Sequence, residues 1–262
     1  LSDNYFFILK KTYFISDIHL GFPNETESRQ REKLVLQWFD EVKKDAEAIY
    51  IVGDLFDFWF EYGKTIPKNF SRIIGKLAEL ADAGIELHLF TGNHDMWMFG
   101  YFKDELGIPV EHHPIQKEIY GKKFFIAHGD GLGPGDNGYK FLKRIFTSNI
   151  CQFLFKWLHP DIGISLAHYW SRESRFADGI QETYKGADRE WLLIFSKEQE
   201  AKEHHDFFIF GHRHLPLDIQ INAQSRYINL GDWLIYNSYA VFDGNTLELK
   251  SFTHHKDVPL AV

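Results

Sequence analysis

At 262 residues, with 44% apolar, 17% aromatic and 25% charged side chains, the chain has room for one large α/β domain or at most two small ones, and its composition argues against disorder. A net charge of −8 speaks against a surface built for indiscriminate nucleic-acid binding, and no nucleic-acid partner is expected. The single cysteine, Cys151, cannot close an intramolecular disulfide, so a reducing, cytoplasmic setting is expected. No apolar run approaches the ~20 residues of a membrane span, and the opening LSDNYFFILKK has an acid and too short an apolar stretch for a signal peptide.

Residues 12–16 (TYFIS) read as a strand, 29–45 as an amphipathic helix, 48–52 (AIYIV) as a second strand, 69–83 as a helix and 85–91 as a third strand. This βαβαβ order predicts a parallel sheet. IQKEIYGKKFFIAHGD reads as a hairpin turning around Tyr120, Gly121 and Lys122, which adds antiparallel strands. From about 138 to 205 the pattern is mostly helical. Short strands return in FFIFGH, RYINLGD, SYAVFD and LELKSF. With no repeat, low-complexity tract or Pro/Ser-rich linker, the expectation is a single domain over 1–262 carrying a helical cap insert at about 138–205.

Chemistry-bearing residues gather where the strands end. Asp17-Ile18-His19 follows the first strand, Gly53-Asp54 the second, and Gly92-Asn93-His94-Asp95 the third. His128-Gly129-Asp130 ends the hairpin, and Gly211-His212-Arg213-His214 follows FFIF. Carboxyl ends of strands in open α/β sheets face the functional crevice, so five polar clusters at five strand ends are expected to converge. The i, i+2 spacing of D-x-H and H-x-H would send both side chains to one side of an extended chain, as two ligands of one metal require. Glycines at 53, 92, 129 and 211 allow tight turns or close approach beside a ligand. Other histidines read as ordinary: His88 as a half-buried strand residue, and His112-His113, His204-His205 and His254-His255 as solvated loop residues.

Each motif alone is weak, and their order is what carries information. D-x-H, G-D, G-N-H-D, H-G and G-H-x-H, each after a strand, together resemble the calcineurin-like metallophosphoesterases. That resemblance implies a four-layer α/β/β/α sandwich of two mixed sheets. It further implies that Asp17, His19 and His214 bind one metal ion, that Asn93, His128 and His212 bind a second, and that Asp54 bridges the two. Mixed imidazole and carboxylate donors suit Mn²⁺, Fe or Zn²⁺ better than Mg²⁺, and Mn²⁺ is expected by analogy. His94 would face the phosphoryl group as hydrogen-bond or proton donor, with Asp95 holding its ring.

Finer features narrow the resemblance. GDLFDFW after the second strand, HGDGLGPGDNGYKFLKR after the hairpin and NLGDW near the end are similar to the UDP-2,3-diacylglucosamine pyrophosphohydrolases of lipid A synthesis. By that likeness Asp136, Tyr139, Ser171 and Arg175 would contact substrate. Two positions depart from the subfamily pattern: His94 stands where its best-described members carry Arg, and Arg175 where Asn is expected. Between Tyr139 and Arg175 the cap is aromatic and basic, with Lys140, Lys143, Arg144, Lys156, Arg172 and Arg175 against Asp161 and Glu173. Such a segment suits acyl chains and phosphate, or an anionic membrane surface on which the protein would sit peripherally. The expected activity is metal-dependent cleavage of the pyrophosphate of UDP-2,3-diacylglucosamine to UMP and the acylated sugar 1-phosphate. A phosphodiesterase for another nucleotide or nucleotide-linked lipid, and a non-catalytic scaffold of the same fold, are the alternatives.

Overall fold

The computed structural model describes residues 10–135, 137–166, 183–184 and 186–253. Its first sheet has six strands: β1 (Lys11–Ile15), β2 (Ala46–Val52), β3 (Glu86–Phe90), β4 (Val110–Glu111), β10 (Ser238–Phe242) and β11 (Leu247–Ser251), in the order β11-β10-β1-β2-β3-β4. The second has five: β5 (Ile115–Ile119), β6 (Lys122–Ala127), β7 (Phe207–Phe210), β8 (Pro216–Gln220) and β9 (Arg226–Leu230), in the order β5-β6-β7-β9-β8. Strands β1, β2 and β3 run parallel in the first sheet, as do β6, β7 and β9 in the second. Six strand ends therefore open toward one edge of the molecule.

Period-two alternation divides each strand between two cores. Phe14, Tyr50, Val52 and Phe90 meet Phe124, Ile126, Phe207, Ile209 and Ile228 between the sheets. The opposite face of the first sheet, through Tyr13, Ile15, Ile49 and Ile51, packs on α1 (Glu25–Val42), α2 (Ser71–Asp82) and α3 (Tyr101–Leu106). Phe208 and Phe210 turn to the outer face of the second sheet, where Leu192 and Leu193 of α6 (Trp191–Glu200) cover them. Because both faces of the central strands are buried, they read as near-continuous apolar runs. The result is the expected α/β/β/α stack.

Boundaries moved where capping chemistry overrides periodicity. Helix α1 starts four residues before its apolar repeat, because Asn24 Oδ1 accepts from Glu27 N–H (3.1 Å) while Asn24 Nδ2 donates to Glu27 Oε1 (2.8 Å). The hairpin turns at Tyr120 (φ 50°) and Gly121 (φ 76°), two left-handed residues that match strand twist. Strand β8 escaped the sequence reading because it opens on Pro216. Proline is tolerated as the first residue of a sheet-edge strand, and β8 is such a strand, pairing only with β9 in its sheet. His205, expected to be solvated, is 2% exposed; its ring lies edge-on to Phe125 and against Phe208.

The described part of the insert begins with α4 (Asn137–Phe146) and α5 (Asn149–Lys156), followed by a helical stretch over 160–166. Phe146 and Phe155 fasten these helices to Phe58, Phe60 and Trp97 beside the third strand end, and Trp97 Nε1 donates to the Phe146 carbonyl (2.8 Å). Helix α6, by contrast, lies on the second sheet and belongs to the sandwich.

Candidate metal centre

The strand ends hold their loops together before any side chain is considered. Ile18 and His19 N–H groups both donate to the Asp54 carbonyl (2.9 Å each), and Gly211 N–H donates to the His128 carbonyl (3.0 Å), which ties the ends of the neighbouring strands β6 and β7. Arg31 of α1 is buried and donates to the carbonyls of Ile18 and His19 (2.6 Å each) and of Phe22. That clamp fixes the loop carrying Asp17 and His19.

The D-x-H and H-x-H pairs converge for a different reason than strand alternation. Asp17 (φ 53°), His19 (φ 48°), Asp54 (φ 52°), His212 (φ 67°) and His214 (φ 48°) all adopt the left-handed region. They are five of the eight non-glycine residues among the described ones that do so. Each such residue stores strain that its surroundings must offset, and such strain concentrates at functional sites. Gly92 shows how tight the packing is: a Cβ there would lie 2.1 Å from Asp54 Oδ1, so no other residue fits.

Around this frame the imidazoles and carboxylates interlock. His19 Nε2 lies 3.3 Å from His214 Nε2, 3.6 Å from Asp54 Oδ2 and 3.7 Å from Asp17 Oδ1. His214 Nε2 is 3.5 Å from Asp17 Oδ1, and His128 Nε2 is 3.4 Å from Asp54 Oδ2 and 3.1 Å from Asn93 Oδ1. The His212 ring stands 5.2 Å from that of His128. Asp17, His19, Asp54 and His128 are buried, whereas Asn93, His94, His212 and His214 are half-buried and line the open side. All seven residues expected as ligands thus meet at one place.

Two observations show that the donor set fits divalent cations. Asp17 Oδ1 and Asp54 Oδ2 are buried carboxylate oxygens with no hydrogen-bond partner, an arrangement too costly to keep unless something else satisfies them. Both lie among imidazole Nε2 atoms. The second observation is tautomeric: His128 Nδ1 is 2.9 Å from the Val52 carbonyl, and His214 Nδ1 is 3.2 Å from Asp232 Oδ2. A carbonyl can only accept, so His128 carries its proton on Nδ1 and presents the Nε2 lone pair to the centre. Beside Asp54 the His128 ring also takes up a proton on Nε2, and a metal ion bound there would displace that proton. Burial alone would raise the Asp54 carboxyl, but His128 and His94 outweigh it and hold it low. Burial works to lower the His128 imidazole, yet Asp54 opposite pushes it up to about 10. His212 is depressed to about 3 by burial and by the His128 charge.

One role expected from the sequence is reassigned. Asp95 does not hold the His94 ring: its Oδ1 accepts from Gly92 N–H (2.8 Å) and its Oδ2 from Phe56 N–H (3.2 Å), so it braces the loop backbone. The residue behind His94 is Asp57, whose carbonyl is 3.2 Å and whose Oδ1 is 3.7 Å from His94 Nδ1. Asp57 Oδ1 also lies 3.8 Å from His19 Nδ1. Asp57 in GDLFDFW and Asp232 in NLGDW show in the sequence only as acids in strand-end loops, because the histidine each one meets, His94 or His214, lies far off in the chain. Tyr139 donates its hydroxyl to Asp130 Oδ2 (2.5 Å), and its ring is 6.4 Å from that of His212. Asp136, Ser171 and Arg175 lie outside the described residues.

Two packed sheets with a carboxylate-imidazole centre at their converging strand ends define a metallophosphoesterase. The chain belongs to the calcineurin-like phosphoesterase family, whose family model matches residues 10–216. It is thereby a metal-dependent phosphoesterase, with divalent ions as its cofactors. It is 40% identical over 254 residues to a UDP-2,3-diacylglucosamine hydrolase of Porphyromonas gingivalis, covering 92% of this chain and 97% of that one. A protein of the same name from Pseudomonas aeruginosa is 30% identical over 228 residues, covering 84% and 90%. Another, from Aeromonas hydrophila, is 27% identical over 234 residues, covering 88% and 93%.

Proposed function

We propose that this chain hydrolyses the pyrophosphate bond of UDP-2,3-diacylglucosamine, releasing UMP and 2,3-diacylglucosamine 1-phosphate. The observation that carries the reading is the 40% identity, across nearly the full length of both chains, to a relative named for hydrolysis of that nucleotide-linked lipid. Asp17, His19 and His214 would hold one ion and Asn93, His128 and His212 the other, with Asp54 between them. Mn²⁺ suits this mixed nitrogen and oxygen set. When bound, two such ions supply Lewis acidity toward phosphoryl oxygens and a ready source of nucleophilic water.

The chain's own residues do the rest. His94 Nδ1 faces the Asp57 carbonyl, so Nδ1 bears a proton and Nε2 is the nitrogen that would meet substrate. Once that nitrogen is also protonated, it can donate to a phosphoryl oxygen or to the departing phosphate. Asp57 fixes the ring so that this donation needs no reorganisation.

The cap supports a lipid substrate. Phe141 (64% exposed), Ile150 (75%), Phe153 (59%), Leu154 (62%) and Trp157 (77%) leave an apolar surface on α4 and α5. A patch of that kind marks a ligand or membrane contact. Not every basic residue there faces outward: Lys143 Nζ is bound to Asp130 Oδ2 (2.6 Å) and Lys140 Nζ to the Gly133 carbonyl (2.6 Å). These two tie the cap to the metal-site loop, leaving Arg144 and Lys156 for an anionic bilayer. We place the protein peripherally on the cytoplasmic face of the membrane, as a single catalytic domain with its helical cap; no described helix is long and apolar enough to cross a membrane.

The test is product analysis with the Mn²⁺-loaded protein. UMP and the acylated sugar 1-phosphate should appear in equal amounts, and a chelator should stop their release. An inert acylated substrate beside active hydrolysis of another nucleotide diester would favour the general phosphodiesterase.

A further inference from the structure

Arg213 separates His212 from His214, and its side chain reaches helix α6. Its Nε lies 3.1 and 3.2 Å from the two carboxylate oxygens of Glu190, the residue that precedes the first turn of α6. Glu190 is 1% and Arg213 5% exposed. Tyr227 of β9 donates its hydroxyl to Glu190 Oε1 (3.1 Å), and the guanidinium carbon sits 4.3 Å from the centre of the Trp191 ring. The backbone of the same turn is held as well: Arg213 N–H (2.8 Å) and Asn229 Nδ2 (2.5 Å) both donate to the Gly211 carbonyl.

The same helix end braces the loop after His128. A Cβ on Gly133 would lie 2.6 Å from the Trp191 carbonyl oxygen, so α6 seats against that loop only because a glycine is there. Three imidazoles of the centre, those of His128, His212 and His214, therefore depend on loops that touch the first turn of α6. Two of them, His212 and His214, are strained left-handed residues flanking Arg213.

A buried ion pair is a poor source of stability, because desolvation cancels much of the attraction and an apolar pair of similar volume does as well. What the charged pair adds is direction, since a carboxylate lying against a guanidinium that is stacked on an indole admits few orientations. We propose that Glu190 and Arg213 are positioning residues for the metal centre, holding the His212-Arg213-His214 turn so that both imidazoles aim into it. Neither touches substrate. The proposal rests on the metal-centre assignment made above.

The experiment uses Mn²⁺ alone as probe, read by titration calorimetry and by the spin-coupled signal of a paired Mn²⁺ centre in electron paramagnetic resonance. Wild type is measured first: no Mn²⁺ binding there would overturn the centre itself, and the positioning role with it. The informative variant is Glu190→Leu combined with Arg213→Met, which removes both charges and strands neither. Its melting temperature should stay near that of wild type while Mn²⁺ binds at least tenfold more weakly and the coupled signal is lost. Unchanged affinity and an unchanged signal in the folded double variant would overturn the proposal. If that variant does not fold, Arg213→Lys decides, since it keeps the charge and gives up the planar guanidinium and the stacking. It should weaken Mn²⁺ binding severalfold with the circular dichroism spectrum intact, and wild-type affinity would count against the positioning role. Glu190→Gln, which preserves shape and an acceptor, should recover more of the affinity than Glu190→Ala.

Discussion

Asp54 stands at the crossing of the site. Its Oδ1 accepts from His94 N–H (2.9 Å), and its partnerless Oδ2 sits between His19 and His128. If Asp54 bridges two cations as proposed, Asp54→Ala should lower bound metal and abolish turnover together, because both would lose their shared anionic ligand; metal content by mass spectrometry with a rate assay checks this. On the proposed reading, His94 separates chemistry from metal binding. His94→Ala should retain near-normal metal content and lose roughly 10²–10⁴ in rate, the usual range for a positioned donor. His94→Arg should keep substantial activity on the acylated substrate, since an arginine can meet a phosphoryl group from the same place. Parallel loss of metal and rate in His94→Ala would make the residue a ligand. At this scale the sequence was most legible where a donor sits just past a strand end, as Asp17, Asp54 and His128 do. It was least legible for Asp57, Asp232 and Arg31, whose work is done on residues brought near only by folding.

Helices α5 and α6 make separate contributions that targeted substitutions can expose. If the apolar surface of α5 receives acyl chains, replacing Phe153 and Leu154 by Asp should damage turnover of the acylated nucleotide sugar while sparing bis(p-nitrophenyl) phosphate. The measurement is the ratio of the two kcat/KM values, with circular dichroism as the folding control. At the far end of α6, burial pushes the Glu200 carboxyl upward, but hydrogen bonds from His204, from His205 N–H and from Ser225 and Asn222 prevail and hold it at about 2. A folded-state value depressed below the ordinary 4.5 means that the carboxylate stabilises the fold above that pH and loses its contribution as pH falls toward 2. Glu200→Gln should therefore unfold at lower urea concentration than wild type at pH 7, and the gap between the two midpoints should close on acidification. A gap that stayed constant from pH 7 to pH 2 would remove Glu200 from the account. Elements with strong periodicity, such as α2 with Ile73, Leu77 and Leu80 on one face, were legible in the sequence. The start of α1 and the edge strand β8 were not, because a side-chain cap and a proline fixed them.

For the whole molecule, the fold explains why so many weak motifs add up. Two sheets packed face to face bring their parallel strand ends to one edge, and each strand delivers its polar residues there in a conformation that core packing pays for. The order of motifs made that convergence legible in the sequence. The substrate was less so, because it depends on how the cap meets the site, and that contact rests on Trp97, Phe146, Phe155 and the lysine ties to Asp130 and Gly133, none of which forms a local pattern. The most direct measurement is kcat/KM for UDP-2,3-diacylglucosamine against the same nucleotide sugar without acyl chains, both with the Mn²⁺-loaded protein. Each buried methylene contributes up to ~0.8 kcal/mol, so binding energy from the chains should favour the acylated substrate by orders of magnitude. Equal values for the two would contradict a lipid substrate and leave a phosphodiesterase that reads only the nucleotide.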